Sequence, residues 1–150
     1  MAVDGRAPQF DGGIVTRLDS LPLGIVVNRA AERFYDEGED FWPKRYAIWG
    51  RLVAQQPDQI AYCIIDQKAV GRFMPSVFPP ITAPTIAALA PQIDQDPAVL
   101  QRTVEVGASA RHACTEARPA AAVPGTVIVP CTAFNDAAAG RPPRPESANR

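Results

Sequence analysis

One arginine near the start of a predicted helix is the strongest candidate for chemistry in this sequence. Arg45 lies in a segment, 43–55, whose apolar side chains recur at helical spacing and form one stripe: Ile48, Trp49, Leu52 and Val53. On a helical wheel this stripe centres near the direction of Arg45, whereas Lys44 and Arg51 fall on the solvent side. The pattern therefore predicts a permanent cation on the buried face, and a buried guanidinium requires an anionic partner.

Two kinds of partner would satisfy Arg45, and the residues leave both open. One is internal, because an acidic run lies just before the helix and supplies the carboxylates of Asp36, Glu37, Glu39 and Asp40. The other is the carboxylate of a small ligand, which a guanidinium can hold through two parallel hydrogen bonds. Arg45 is thus either a structural ion-pair partner or a substrate-binding residue.

Aromatic residues are concentrated around the same helix start. They fall between residues 34 and 49 and comprise Phe34, Tyr35, Phe41, Trp42, Tyr46 and Trp49. Such a cluster forms either the wall of a site for a planar ligand or ordinary core packing. Tyr46, a member of this cluster, is a second candidate for contact with substrate.

Other chemistries have little support in the sequence. His112 is the single histidine and has no nearby partners for nucleophilic catalysis. The acidic run lacks the spacing of a calcium loop, so we expect no metal site. The sequence contains neither G-x-G-x-x-G nor G-x-x-x-x-G-K-[ST], so no phosphate-binding loop is visible.

Composition points to a small protein of neutral charge. The chain has 150 residues and a formal net charge of −1, which argues against a general nucleic-acid or anionic-membrane binder. No basic, apolar leader opens the sequence and no apolar run is long enough for a membrane span. Three scattered cysteines fit a reducing compartment. We therefore expect a soluble, cytoplasmic protein.

The pattern along the chain predicts mixed helices and strands. Residues 24–28 and 33–35 predict a hairpin, and the almost continuously apolar run 60–65 predicts a strand covered on both faces. Residues 71–82 are expected to form an irregular loop.

Further along the chain, two helix starts are predicted before the composition changes. Thr82 or Thr85 can cap one helix, and Asp96 followed by Pro97 can begin another. From Gly107 onward the sequence is rich in Ala, Pro and Arg. This part is expected to be largely disordered, with a short strand near 126–130.

Several of these segments, in this order, resemble the fumarate reductase/succinate dehydrogenase flavoprotein family. Residues 24–28 are similar to its G-x-x-V-N strand and residues 32–37 to its R-F-x-[DN]-E turn. Gln56-Pro57 followed by residues 61–66 resembles its Q-P…A-[YW]-x-[IV]-[FI]-D strand. The resemblance covers about residues 10–106, and the most similar branch looks like the FAD-dependent tricarballylate dehydrogenases.

The resemblance implies a fold, a cofactor and an activity. The chain would be an α+β, cap-side fragment of a Rossmann-like FAD-dependent flavoprotein, with the family portion at 1–106 and a tail at 107–150. It implies a dehydrogenase or reductase that moves hydride between flavin and a small carboxylate such as a tricarballylate-like acid. Arg45 falls near the cap arginine that serves the family as acid/base or carboxylate clamp. We therefore predict Arg45 as catalytic, and Arg45 and Tyr46 as substrate-binding.

The family's FAD fingerprint does not occur in this sequence. Since the pyrophosphate of a dinucleotide needs a strand–glycine turn–helix unit, we expect the chain by itself to hold FAD weakly. The FAD-binding portion of a parent protein would then be its partner. The alternative is a non-enzymatic small binding module or a non-functional truncated product.

Overall fold

A single antiparallel sheet organises the chain. The computed structural model describes residues 2–7, 16–39, 45–114 and 126–133, and for 45–46, 109–114 and 126–133 it describes the backbone. The strands run in the order β1–β5–β3–β2, and β4 pairs with the other end of β5. Their bounds are β1 (Ala2–Asp4), β2 (Ile25–Asn28), β3 (Ile60–Asp66), β4 (Ile81–Ala83) and β5 (Thr126–Ala133).

Three α-helices among the described residues cover the two faces of this sheet. The helices are α1 (Arg45–Ala54), α2 (Ile86–Leu89) and α3 (Pro97–Cys114). Trp49 and Val53 of α1 belong to a first core on one face, whereas Leu89 of α2 and Leu100 of α3 belong to a second core on the other. The predicted mixture of helix and strand is confirmed, with the helices on both sides of the sheet.

β3 contributes side chains to both cores, as its apolar sequence predicts. Because successive side chains of a strand point to opposite faces, its residues alternate between the two cores. Ala61, Cys63 and Ile65 belong to the first core, and Tyr62 and Ile64 to the second. β3 is therefore a central strand, and nearly every one of its positions requires an apolar residue.

The helices on the second face begin where their capping residues predict. Thr85, rather than Thr82, caps α2, and its Oγ1 accepts a hydrogen bond from the Ala88 N–H at 3.1 Å. Asp96 accepts from two N–H groups of the first turn of α3, at 2.8 and 3.0 Å. These side chains satisfy donors that have no partner within the helix.

The composition change at Gly107 does not coincide with the end of a helix. α3 continues past Gly107 to Cys114. A Cβ at Gly107 would lie 3.1 Å from Cδ1 of Ile25, so the glycine allows a close approach between α3 and β2. Disorder is predicted for most of residues 107–150, but residues 107–114 continue α3 and residues 126–133 form β5. The other residues of this part, 115–125 and 134–150, lie outside the described residues.

The last described segment lies in the middle of the sheet. The predicted strand near 126–130 is present as β5, which pairs with β3 along one side. On its other side it pairs with β4 through residues 126–128 and with β1 through residues 131–133. Pro130 falls between these two stretches, where neither β1 nor β4 pairs with it. Its missing N–H is therefore tolerated within a central strand.

The hairpin predicted from residues 24–35 is confirmed in part. β2 pairs with β3 along one edge, and on its other edge Val27 forms a single antiparallel bridge with Arg33, without a second strand at residues 33–35. Gly24 explains the tight entry into β2, because a Cβ there would lie 2.6 Å from Sγ of Cys63 and 2.7 Å from the Ile64 carbonyl oxygen. Gly24 thus permits the close pairing of β2 with β3.

A buried carboxylate closes the outer edge of β2. The side chain of Glu37 is fully buried, and its Oε1 accepts a hydrogen bond from the Val26 N–H at 2.7 Å. Its Oε2 accepts from Arg33, with nitrogen–oxygen distances of 2.6 and 2.7 Å. The Asn28 N–H donates to the Glu32 carbonyl at 2.9 Å. The segment after β2 thus satisfies edge donors that would otherwise be costly to bury.

We predict that Gly24→Ala lowers the free energy of unfolding by about 1–3 kcal/mol, because the added methyl overpacks the contact with β3. Urea denaturation followed by far-UV circular dichroism measures the change. Gly38→Ala is the matched control, since its Cβ would meet its nearest neighbour at an ordinary 3.4 Å. Equal effects of the two substitutions would contradict the close-approach explanation.

A second pair of variants tests the buried carboxylate against an exposed one on the same arginine. The Asp36 side chain is 70% exposed and lies 3.2 Å from Arg33, whereas the Glu37 side chain is 0% exposed. Glu37→Gln should reduce the free energy of unfolding by about 2 kcal/mol, because it removes the charge of the buried carboxylate that pairs with the half-buried Arg33. Asp36→Asn should change it by less than about 0.5 kcal/mol. Similar losses in urea denaturation would show that burial of Glu37 is unimportant.

Candidate active site beside helix α1

The apolar face predicted for α1 is confirmed. Trp49 is 2% exposed and Val53 is 0% exposed, and Leu52 packs against the same core. Ile48 is half-buried, and Arg51 is exposed, as the helical wheel predicts. The helix ends at Ala54, three residues before Pro57, which favours extended backbone in the residue before it.

The two predicted substrate-binding residues are the first residues of this helix. Arg45 and Tyr46 open α1, and Arg45 precedes Trp49 by four residues. Residues four apart occupy the same face of a helix, so the backbone position of Arg45 is one turn from the buried tryptophan. The side chains of Arg45 and Tyr46 lie outside the described part of the structure, as do Phe41 and Trp42. Their roles stay predictions.

Two aromatic residues of the predicted cluster pack edge-to-face on Trp49. The ring centroids of Phe34 and Trp49 are 6.0 Å apart at an interplanar angle of 73°. Those of Tyr35 and Trp49 are 5.5 Å apart at 85°. Edge-to-face pairs of this kind stabilise cores. For these three residues the structure therefore supports the core interpretation of the aromatic cluster.

Trp49 also borders a cavity of about 320 Å³. The other walls come from the segment before β2 and from the loop after β3. The lining residues are Arg17, Leu18, Asp19, Leu21, Pro22, Leu23, Trp49, Arg72, Phe73 and Met74. Trp49 therefore belongs both to the first core and to the cavity wall, and α1 sets its position.

The cavity combines apolar walls with charged residues. Arg17 and Asp19 form an ion pair at 2.7 Å, and their side chains are 23% and 20% exposed. Arg72 is exposed, and within the described parts of the chain it forms no ion pair with a carboxylate. A small organic anion with an apolar body matches this combination, because a guanidinium binds a carboxylate and the walls bury the apolar part.

Arg33 is a residue that the sequence reasoning did not single out. It binds Asp36 and Glu37, two of the carboxylates considered as internal partners of Arg45. The hydrogen bond that Arg33 donates to Glu37 is the main reason that the pKa of Arg33 is raised above its ordinary value, and burial opposes this rise. The Tyr35 hydroxyl donates to Glu39. The sequence signal that could have identified Arg33 is its spacing of four residues from Glu37, within a segment rich in aromatic residues. Asp40, the last of the four carboxylates considered as partners of Arg45, lies outside the described residues.

The described residues do not fit the pyrophosphate of FAD. Every strand pairing among them is antiparallel, so they contain no strand–glycine turn–helix unit returning to a parallel strand. In the same ranges, no three His, Cys, Asp or Glu side chains are grouped so that they could hold a metal ion. No helix among the residues that the structure describes is both long and apolar enough to cross a membrane.

Comparison with known proteins gives fold similarity to two oxidoreductases. A flavocytochrome c3 fumarate reductase in its open conformation matches with a TM-score of 0.60 and 16% identity, over 88% of this chain and 24% of that chain. The 3-ketosteroid-Δ4-(5α)-dehydrogenase from Rhodococcus jostii RHA1, in complex with 4-androstene-3,17-dione, matches with a TM-score of 0.55 and 21% identity, over 77% of this chain and 26% of that chain. No protein family and no curated protein matches the sequence.

The chain therefore spans about a quarter of the length of each of these two enzymes. At this level of identity the similarity shows the fold. One of the two is a flavocytochrome and the other a dehydrogenase, so the fold of this chain is one that occurs as a segment of oxidoreductases.

Proposed function

We propose that this chain is the substrate-side part of an FAD-dependent dehydrogenase or reductase acting on a small carboxylate such as a tricarballylate-like acid. The observation that carries the proposal is the position of α1. The helix begins at Arg45, buries Trp49 one turn later, and through Trp49 borders a cavity that also contains Arg17 and Arg72. The fold similarity of the chain to a flavocytochrome c3 fumarate reductase supports the same assignment.

In this proposal Arg45 is the substrate-binding and catalytic arginine, and Tyr46 is a neighbouring substrate contact. A guanidinium binds one carboxylate through two parallel hydrogen bonds, which fixes the orientation of the acid. Arg72 at the cavity offers a second cation for an acid with more than one carboxylate. The apolar side chains of Trp49 and Phe73 would then contact the carbon chain between the carboxylates.

FAD is the cofactor that the proposal requires, although the described residues do not provide its pyrophosphate site. The cofactor would be bound mainly by an FAD-binding portion outside these residues. This chain would contribute the substrate contacts. The proposal thus separates two measurable properties, carboxylate binding by this chain and flavin binding by its partner portion.

We predict that Arg45→Ala weakens binding of tricarballylate by about tenfold or more, because a charge-assisted hydrogen-bond pair is lost. Isothermal titration of the purified chain measures the affinity, and the melting temperature is recorded for the same samples. Arg51→Ala is the matched control, since it removes a cation from the exposed face of the same helix. The affinity of the Arg51→Ala variant for tricarballylate should equal that of the unmodified chain.

Three outcomes would contradict this proposal. If the unmodified chain does not bind tricarballylate, the substrate-side assignment is wrong. If Arg45→Ala greatly lowers the melting temperature, Arg45 is the structural partner of the acidic run. If the variant binds as well as the unmodified chain, the arginine has no part in recognition, and a non-enzymatic binding module is favoured.

We also predict that added FAD does not remain on the purified chain through desalting. The described residues contain no strand–glycine turn–helix unit, which is the element that binds a dinucleotide pyrophosphate. A visible absorption spectrum taken after the desalting column measures retention. Flavin bands that persist in equal amount with the protein would show that the chain has a complete flavin site of its own.

A further inference from the structure

A loop between β3 and β4 forms one side of the cavity. We call residues 70–80 the strap; it follows the short 3-10 turn Gln67–Ala69 and leads into β4. Its residues Arg72, Phe73 and Met74 line the cavity. Any movement of the strap would therefore change the shape of the cavity and the access to it.

Backbone hydrogen bonds hold the strap at its beginning. The Val70 N–H donates to the Gln67 carbonyl at 3.2 Å, and the Arg72 N–H donates to the Ala69 carbonyl at 3.0 Å. From Phe73 to Pro80, the described residues show no backbone–backbone hydrogen bond. The second half of the strap is therefore held by side chains.

Several of its apolar side chains do not anchor the strap either. Val70 is 43% exposed, Met74 38% and Val77 59%. Phe73 is partly buried and packs against the first core. Because exposed apolar groups gain little from burial, the position of residues 74–80 depends on polar contacts.

These polar contacts come from the end of β1. The carboxylate of Asp4 is fully buried and binds Arg6 through two hydrogen bonds, from Nε at 2.9 Å and Nη2 at 2.7 Å. Oδ2 of the same carboxylate accepts a hydrogen bond from the Ser76 hydroxyl at 3.0 Å. Asp4 therefore joins β1 directly to the strap.

Arg6 makes a second set of contacts with the strap. Its Nη1 donates to the Pro79 carbonyl at 2.5 Å, and its Nη2 lies 3.4 Å from the Phe78 carbonyl oxygen. The guanidinium carbon lies 5.2 Å from the centre of the Phe78 ring, within the range of a cation–π contact. We call Asp4, Arg6 and Ser76 the clamp.

We infer that the strap is a lid over the cavity beside Trp49, and that Asp4 and Arg6 are positioning residues that hold this lid closed through Ser76, Phe78 and Pro79. Neither Asp4 nor Arg6 lines the cavity. Their contacts fix the half of the strap that lacks backbone hydrogen bonds, and Met74 in this half lines the cavity. The position of this half therefore controls access to the cavity, whichever ligand binds there.

Hydrogen exchange tests the clamp with Ser76→Ala and Arg6→Ala. Peptides covering residues 70–80 should exchange about tenfold faster in both variants, because each substitution removes hydrogen bonds to a charged group. Exchange in β2 and β3 should not change. Asp58→Asn is the matched control, since it weakens the Arg29–Asp58 pair at 3.4 Å and Asn tolerates the positive φ of 56° at this residue.

Acrylamide quenching of Trp49 tests whether strap movement opens the cavity. The sequence has two tryptophans, so Trp42→Phe leaves Trp49 as the single tryptophan. In that background Arg6→Ala and Ser76→Ala should at least double the quenching constant, whereas Asp58→Asn should not alter it. The chain that carries Trp42→Phe alone supplies the reference quenching constant. It also shows whether folding is retained in that background.

Three results would overturn the inference. Faster exchange spread evenly over β2, β3 and the strap would show that the clamp is a general stabilising contact. Faster exchange in the strap with unchanged quenching of Trp49 would show that the strap moves without opening the cavity. Unchanged exchange in the strap would show that the clamp does not hold it.

Discussion

The buried carboxylate of Glu37 is the interaction on which the arrangement around α1 depends. Both faces of β2 are buried, so the N–H groups along its outer edge need partners within the protein. The Glu37 carboxylate accepts the hydrogen bond from the Val26 N–H, and Arg33 neutralises the charge of this buried carboxylate. The segment from Arg33 to Glu37 is therefore fixed at both of its ends.

That constraint reaches the cavity through aromatic packing. Phe34 and Tyr35 lie between Arg33 and Glu37, and both contact Trp49 edge-to-face. Trp49 then forms one wall of the cavity, while the strap forms another. The two walls are fixed by separate carboxylates, Glu37 on one side and Asp4 on the other. Each is fully buried and paired with an arginine close in sequence.

Local patterns in the sequence were sufficient for α1, β3 and the caps at Thr85 and Asp96, because each depends on residues within a few positions. The predicted hairpin is present only as the bridge between Val27 and Arg33. The pairing of β2 with β3 was not predicted, because it joins segments far apart in the chain and depends on the close approach that Gly24 permits. Neither Arg33 nor the cavity was predicted, since both arise from contacts between separate segments. The residues predicted to bind substrate, Arg45 and Tyr46, stay predictions, as does FAD binding.

The central position of β5 has a consequence for synthesis on the ribosome. β1, β3 and β4 all pair with residues 126–133, so these strands wait for the last described segment before the sheet is complete. During translation the edge of β3 that pairs with β5 stays open until residue 133 has left the exit tunnel. The sheet is therefore expected to form only after β5 has emerged, and ribosome-bound chains that end before β5 should engage chaperones that recognise exposed strands.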